Sequence, residues 1–225
     1  MILCINLSLS PYFFGLFDPA DQTCHSISCS ANHDFSEHFL DSLDPLLKQN
    51  NKLLTDITAI GLIQGPGAYT GLRICATIAN MLHLSIGAPL YGISTFEALL
   101  YPFLQKDGTY FLIVPGRKNQ VLCQLIGVKN HASQLLTAPF DLSFDQLSTK
   151  LASFNSPLSV IGYPFSPPIP DTVHYYDFPL SFYHTCLLVE EKTKLTGIGS
   201  SPFVFPEYAY QPFLGPSKKK KAGQS

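Results

Sequence analysis

Apolar residues open the chain in short blocks, 2–9, 12–17 and 25–29, broken by Ser10-Pro11 and by Asp18-Pro19-Ala20-Asp21. Blocks of that length, punctuated by proline and aspartate, predict three consecutive antiparallel strands. Ser36 is then placed to cap a helix in which Phe39, Leu40, Leu43, Leu46 and Leu47 recur at helical spacing, with Pro45 expected to kink or restart it. A run at 60–63 is long enough for a buried strand. It leads into Gln64-Gly65-Pro66-Gly67-Ala68-Tyr69-Thr70-Gly71-Leu72-Arg73, and 72–86 is apolar at helical spacing. Gly87 and Pro89 stop that helix, 90–93 reads as a strand, and 94–104 as a helix starting at Ser94. The predicted order is βββαβαβα.

The rest repeats this opening more faintly. Strands are expected at 110–114, 120–128 and near 134–137, a helix across 142–154, a strand at 158–161, a proline-rich loop at 164–170 and a helix across 180–195. Residues 202–215 are aromatic and proline-rich. Residues 217–225, with Lys218 to Lys221, offer nothing to pack and are expected to be a disordered basic tail.

The turn at 64–70 carries the candidate chemistry. Gly65 and Gly67 permit backbone angles closed to other residues, Pro66 fixes a torsion, and the Thr70 hydroxyl is expected to cap the helix. A glycine turn feeding a helix N-terminus suits an anion. The spacing fits neither a P-loop, which needs Lys-Ser or Lys-Thr, nor a dinucleotide fingerprint, and on spacing alone a tight packing turn is favoured over phosphate binding. The helix itself is apolar over an arc of about 220°, against the stripe of about 100° that covers one face of a core. Arg73, Thr77 and Asn80 fill the remainder, and Gly71, Cys75 and Ala79 make a small-residue row open to another helix backbone. Periodicity alone leaves open whether the second apolar face is buried within the domain or on a partner protein.

Composition narrows the classes. With 225 residues the chain can bury a sizeable core; 14 basic against 16 acidic side chains give a net charge of −2, which excludes a broadly cationic nucleic-acid or membrane surface. Six scattered cysteines without a Cys-x-x-Cys pair suit a reducing cytoplasm, and neither a signal n-region nor a membrane-length apolar run is found. Cys24, His25, Cys29 and His33 match no structural zinc spacing. Glu97 is explained as the partner of Ser94 in a capping box, and Lys218 to Lys221 as a solvated tail rather than a phosphate-backbone contact.

Residues 65–74, then Ala79, Gly87-Ala88-Pro89-Leu90, Gly92-Ile93-Ser94-Thr95 and Glu97-Ala98-Leu99, resemble the core pattern of the TsaB (YeaZ) family of bacterial tRNA threonylcarbamoyladenosine biosynthesis. The match is specific from about 56 to 100. The resemblance implies an α/β, two-lobed fold of the actin, Hsp70 and sugar-kinase (ASKHA) type built from duplicated βββαβα units. The lobes are expected at 1–104 and 105–215, with the tail at 216–225. It implies a non-catalytic, cytoplasmic scaffold that activates a TsaD-like transferase, joined by a TsaE-like ATPase. That complex modifies adenosine 37 of tRNAs reading codons that begin with A. No cofactor or metal is expected on this chain; ATP, threonylcarbamoyl-adenylate and a metal belong to the partners.

The implied docking surface is the pair of N-terminal-lobe helices, carried onto Ser36, Phe39, Leu40, Leu43, Gly71, Leu72, Cys75, Ala76, Ala79 and Leu82, with a homodimer and direct tRNA contact left open. Gly65 and Gly67 are the only candidates for a vestigial nucleotide site. The chain departs from the family pattern at Asn6-Leu7-Ser8, where Asp-Thr-Ser is usual, at Pro115-Gly116-Arg117, where Asp-Ala-Arg is often found, and at Phe35, where many relatives carry histidine. Two carboxylates that could support Mg²⁺ and phosphate are thereby lost. The competing reading is an independent ATP-dependent kinase or ATPase of the same fold; no nucleophile triad or His-Glu-x-x-His supports a peptidase.

Overall fold

The structure, a computed structural model, describes residues 1–29, 38–154, 158–162, 173–196 and 203–209. The three opening blocks form β1 (Ile2–Asn6), β2 (Tyr12–Asp18) and β3 (Thr23–Cys29), followed by α1 (Phe39–Gln49), β4 (Ala59–Gly65), α2 (Tyr69–Ile86), β5 (Leu90–Ser94) and α3 (Thr95–Leu100). They build a sheet in the order β3-β2-β1-β4-β5, in which β1 runs antiparallel to β2, β2 antiparallel to β3, and β1, β4 and β5 lie parallel.

The second half forms β6 (Gly108–Pro115), β7 (Gln120–Lys129), β8 (Ala132–Leu135), β9 (Phe140–Ser143), α4 (Phe144–Ala152), β10 (Ser159–Gly162), β11 (His174–Asp177) and α5 (Phe182–Thr196). Its sheet, β8-β7-β6-β10-β11, repeats the first strand for strand, antiparallel through β6, β7 and β8 and parallel through β6, β10 and β11. The duplicated ASKHA-type unit is thus present in both halves. Residues 163–173 join β10 to β11 where 66–89 join β4 to β5, a link too short to repeat the 18-residue α2.

Strand alternation distributes the side chains over three apolar layers. Leu3, Ile5, Phe14, Leu16, Ile60 and Leu62 face α1 and α2. Their neighbours Ile2, Cys4, Phe13, Phe17, Ala59 and Ile63 share a central layer with Tyr110, Leu112 and Val114 of β6 and with Cys186 and Val189 of α5. Phe111, Ile113, Val121 and Cys123 meet Leu147 and Leu151 of α4 on the outer side of the second sheet. The central layer crosses the expected division at 104/105. Helix α5, from the end of the chain, lies across β1, β2, β4 and β5, while α3, from the first half, also touches β6.

Local expectations met three physical corrections. Helix α1 runs through Pro45 without restarting: the bond that proline cannot make would go to the carbonyl of Asp41, an exposed residue, so the missing bond lies outside the core. Residues 142 and 143, expected to open the helix across 142–154, instead pair with β7 as part of β9; Ser143 then caps α4, its hydroxyl accepting from Gln146 N at 3.2 Å. At the N-terminus of α2, Ala68 rather than Thr70 is the cap residue, with no side-chain bond. Glu97 closes its turn as expected, its carboxylate accepting from Ser94 N at 3.4 Å and pairing with Lys192 of α5 at 3.1 Å. The expected loop 164–170 and tail lie outside the described residues.

Where the halves meet, Tyr101, Phe178 and Tyr183 surround His184, and Phe103 links them to Tyr110 and Tyr176. His184 Nδ1 is buried with no hydrogen-bond partner, and burial holds the imidazole below its usual pKa. The native state therefore resists a proton that the unfolded chain accepts near pH 6.5. Stability is expected to fall as pH drops through 6.5 and to level off below the lowered folded value. Urea midpoints measured from pH 7.5 to 5 should show this decline, and His184→Phe should flatten it.

Candidate functional site

Three carbon-terminal strand ends, those of β1, β4 and β5, converge on the Gly65-Pro66-Gly67 turn, the edge at which open α/β sheets ordinarily hold ligands. Here the chain fills the space itself. Asn6 is fully buried; its Nδ2 donates to Leu9 O at 2.8 Å and Pro11 O at 2.9 Å. Its Oδ1 accepts from Ser8 N and Ser8 Oγ, both at 3.1 Å. Both ends of the amide are thus spent on folding the 7–11 loop. That loop in turn abuts the turn and α2: Ser8 O accepts from Ala68 N at 2.9 Å, Leu7 N donates to Cys75 Sγ at 3.0 Å, and Thr95 Oγ1 donates to Pro66 O at 2.6 Å.

A nucleotide phosphate with its metal does not fit these residues. The amide hydrogen of Ala68, first at the helix entrance, is already bonded within the chain. A Cβ on Gly67 would lie 2.8 Å from Ser8 Cβ and Oγ, so the space beside it is occupied. Asn6 has no lone pair to spare for a cation, and at the matching hairpin Pro115 ends β6, with Gly116 N bonded to Gln120 O at 3.0 Å. Among the described residues no three His, Cys, Asp or Glu side chains gather as a metal site. All six cysteines are free thiols, and burial pushes those of Cys75 and Cys123 up to about 12, so they act as core residues rather than nucleophiles.

Eight of the ten expected docking residues are covered by the chain itself. Phe39, Leu43, Leu72, Cys75, Ala76, Ala79 and Leu82 are buried in the layer between the first sheet and its helices. Gly71 is buried because the Leu7 carbonyl rests on it: a Cβ there would overlap Leu7 O and come 2.8 Å from Ser8 Cα. The small-residue row admits the 7–8 backbone, not another helix. Leu40 alone faces outward, and Ser36 lies outside the described residues.

The surface that α2 does offer is its other side. Thr70, Arg73, Ile74, Thr77 and Ile78 line a shallow groove of about 310 Å³, continued by exposed Met81 and Leu84. Arg73 lies over the Tyr69 ring, 5.5 Å from its centroid, and Tyr69 packs on Tyr208 at 4.8 Å. Tyr208 belongs to residues 203–209, which cross from Asn80 to Gln64; Asn80, one of the polar positions outside the apolar arc, holds Val204. Helical spacing could not assign that role, although the aromatic 202–215 segment was itself legible. Glycine is required at 65, where φ is +138° and a Cβ would overlap Glu207 O.

The family profile described as "TsaD: tRNA N6-adenosine threonylcarbamoyltransferase" matches residues 29–156, more than half of the chain. The tRNA threonylcarbamoyladenosine biosynthesis protein TsaB of Escherichia coli is 29% identical over 107 residues, 48% of this chain and 46% of that protein. The protein of the same name from Bacillus subtilis is 32% identical over 99 residues, 44% of this chain and 42% of that protein. A solved structure of YeaZ from Pseudomonas aeruginosa superposes with a TM-score of 0.69 at 16% identity, covering 92% of this chain and 98% of that one.

The chain belongs to this family, in its TsaB (YeaZ) branch.

Its match spans about half the length of the curated TsaB proteins. The structural likeness extends across nearly the whole fold, the second sheet included. Within the TsaB framework the Asn6 departure has a physical basis: an aspartate there could not donate to Leu9 O and Pro11 O. Phe35 and His33 lie outside the described residues. No helix among the described residues is long and apolar enough to cross a membrane.

Proposed function

We propose that this chain is a non-catalytic subunit that binds and activates a TsaD-like transferase forming threonylcarbamoyladenosine at position 37 of tRNA, with a TsaE-like ATPase completing the assembly. The observation that carries the non-catalytic reading is Asn6: its amide is consumed in the 7–11 loop, leaving no carboxylate at the strand end where a metal and phosphates would need one. ATP, threonylcarbamoyl-adenylate and the metal then belong to the partners. The surface available to the transferase is the outer side of α2, Thr70, Arg73, Ile74, Thr77 and Ile78, together with Leu40.

Coexpression with a TsaD-type transferase tests this directly. A one-to-one complex on size exclusion and a tRNA modification rate dependent on this chain are expected. Thr77→Glu, at an exposed position where a substitution shifts stability by no more than about 0.5 kcal/mol, should weaken association at least about tenfold. Copurification of that variant at full strength would move the interface elsewhere. Tight Mg-ATP binding with turnover by the isolated chain, read by calorimetry, would replace the proposal with the ATPase reading.

A further inference from the structure

Residues 203–209 are held by bonds that recognise a peptide main chain. Asn80 Nδ2 donates to Val204 O at 2.9 Å while Asn80 Oδ1 accepts from Val204 N at 3.0 Å, a two-point clamp on a single peptide residue. Gln64 adds two further bonds: its side-chain Nε2 donates to Phe205 O and its main-chain carbonyl accepts from Glu207 N, both at 2.8 Å. All four bonds end on backbone atoms of the strap. One strap side chain, Val204, is buried, in the layer between α2 and the first sheet; Phe203, Phe205 and Tyr208 remain 40%, 70% and 40% exposed. Tyr69 lies under Tyr208, and His83 stands edge-on to Phe203 at 6.4 Å. Among the described residues no ion pair or disulfide ties the strap down.

We propose that the furrow between Gln64 and Asn80 is a peptide-binding site, occupied in this chain by its own residues 203–209 and able to take the same segment in trans. Its ligand is an extended segment with a small branched apolar residue in the Val204 position and aromatic residues on either side. Amide clamps to the main chain supply the strand-like grip used where an extended peptide docks on a sheet or helix edge, and the single apolar pocket supplies the selectivity. Tethering gives the cis segment its advantage through effective concentration rather than through many contacts. Gly65 shapes the floor, since any side chain there would overlap Glu207 O.

The test uses the full chain and a fluorescent synthetic peptide, Phe-Val-Phe-Pro-Glu-Tyr-Ala. Val204→Asp puts a charge into the apolar pocket and should release the cis strap. The peptide should then bind saturably, at least about tenfold more tightly than to the native chain, and adding Asn80→Ala should weaken it by about tenfold again. Absence of saturable binding to folded Val204→Asp, or equal binding to all three proteins, overturns the proposal. If Val204→Asp does not fold, hydrogen exchange on the native chain decides. The Val204 and Glu207 amides should exchange by local opening, far faster than amides in the middle of α2; exchange of both only with global unfolding would make the strap an integral part of the core and refute the site.

Discussion

Gly71→Ala is expected to destabilise the protein by about 3 kcal/mol or more, although alanine is the better helix former. The sign is informative because two effects oppose each other. On a solvent-facing helix position the exchange would stabilise by about 1 kcal/mol through backbone entropy alone. At position 71 the new methyl group would overlap the carbonyl oxygen of Leu7 and crowd the Leu7 and Ser8 main chain, which has no rotamer through which to yield. The displacement would pull Leu7 N from Cys75 Sγ and Ser8 O from Ala68 N, and these join β1 to α2. Chemical denaturation of the variant reads the effect; unchanged or increased stability would show that the 7–8 loop is not seated on α2. A bulky residue at 71 would also diminish partner binding, but by disturbing this chain's own fold, so loss of association in such a variant says nothing of the interface. Thr77, on the exposed side, separates the two.

The amino-acid pattern disclosed order better than facing. Strands β1, β2, β4 and β5 and helices α1 and α2 were legible because each is an apolar block bounded by glycine, proline or a polar turn, and the 65–74 motif carried the family. Strand β11 was not, because His174-Tyr175-Tyr176-Asp177 has no apolar run and is specified by pairing with β10. The wide apolar arc of α2 showed only that the helix is apolar over more than one core face. It could not say that the small-residue row receives a loop backbone, or that a segment more than a hundred residues away takes the Asn80 side. Periodicity measures how much of a helix is shielded, whereas the identity of the shield depends on contacts distant in sequence. The same limit applies to the interior of α1, where Pro45 is tolerated, and to the start of α2, where Ala68 N bonds a loop carbonyl and Thr70 is not the cap.

Asn6→Asp is the exchange that most directly separates a lost catalytic carboxylate from an acquired structural amide. At pH 7 it is expected to cost about 4 kcal/mol or more: Leu9 O and Pro11 O lose their donor and face a carboxylate oxygen, and the charge itself is buried. Ser8 N and Ser8 Oγ would still donate to the other oxygen, offsetting part of this. Burial and the two carbonyls favour the protonated acid, which can donate one of the missing bonds, so the folded pKa of the introduced carboxyl would lie above the unfolded value near 3.9. The folded variant then binds more protons than the unfolded chain. Its deficit relative to the native protein should be smallest below about pH 4 and grow as pH rises through the raised folded value, becoming constant above it. Urea unfolding of variant and native proteins from pH 3.5 to 8 measures the difference, which should widen with rising pH, opposite to the trend of a salt-bridged carboxylate. A variant with native stability at pH 7 that also binds Mg-ATP would show position 6 to be a vacated metal site, and the structural account of Asn6 would fail.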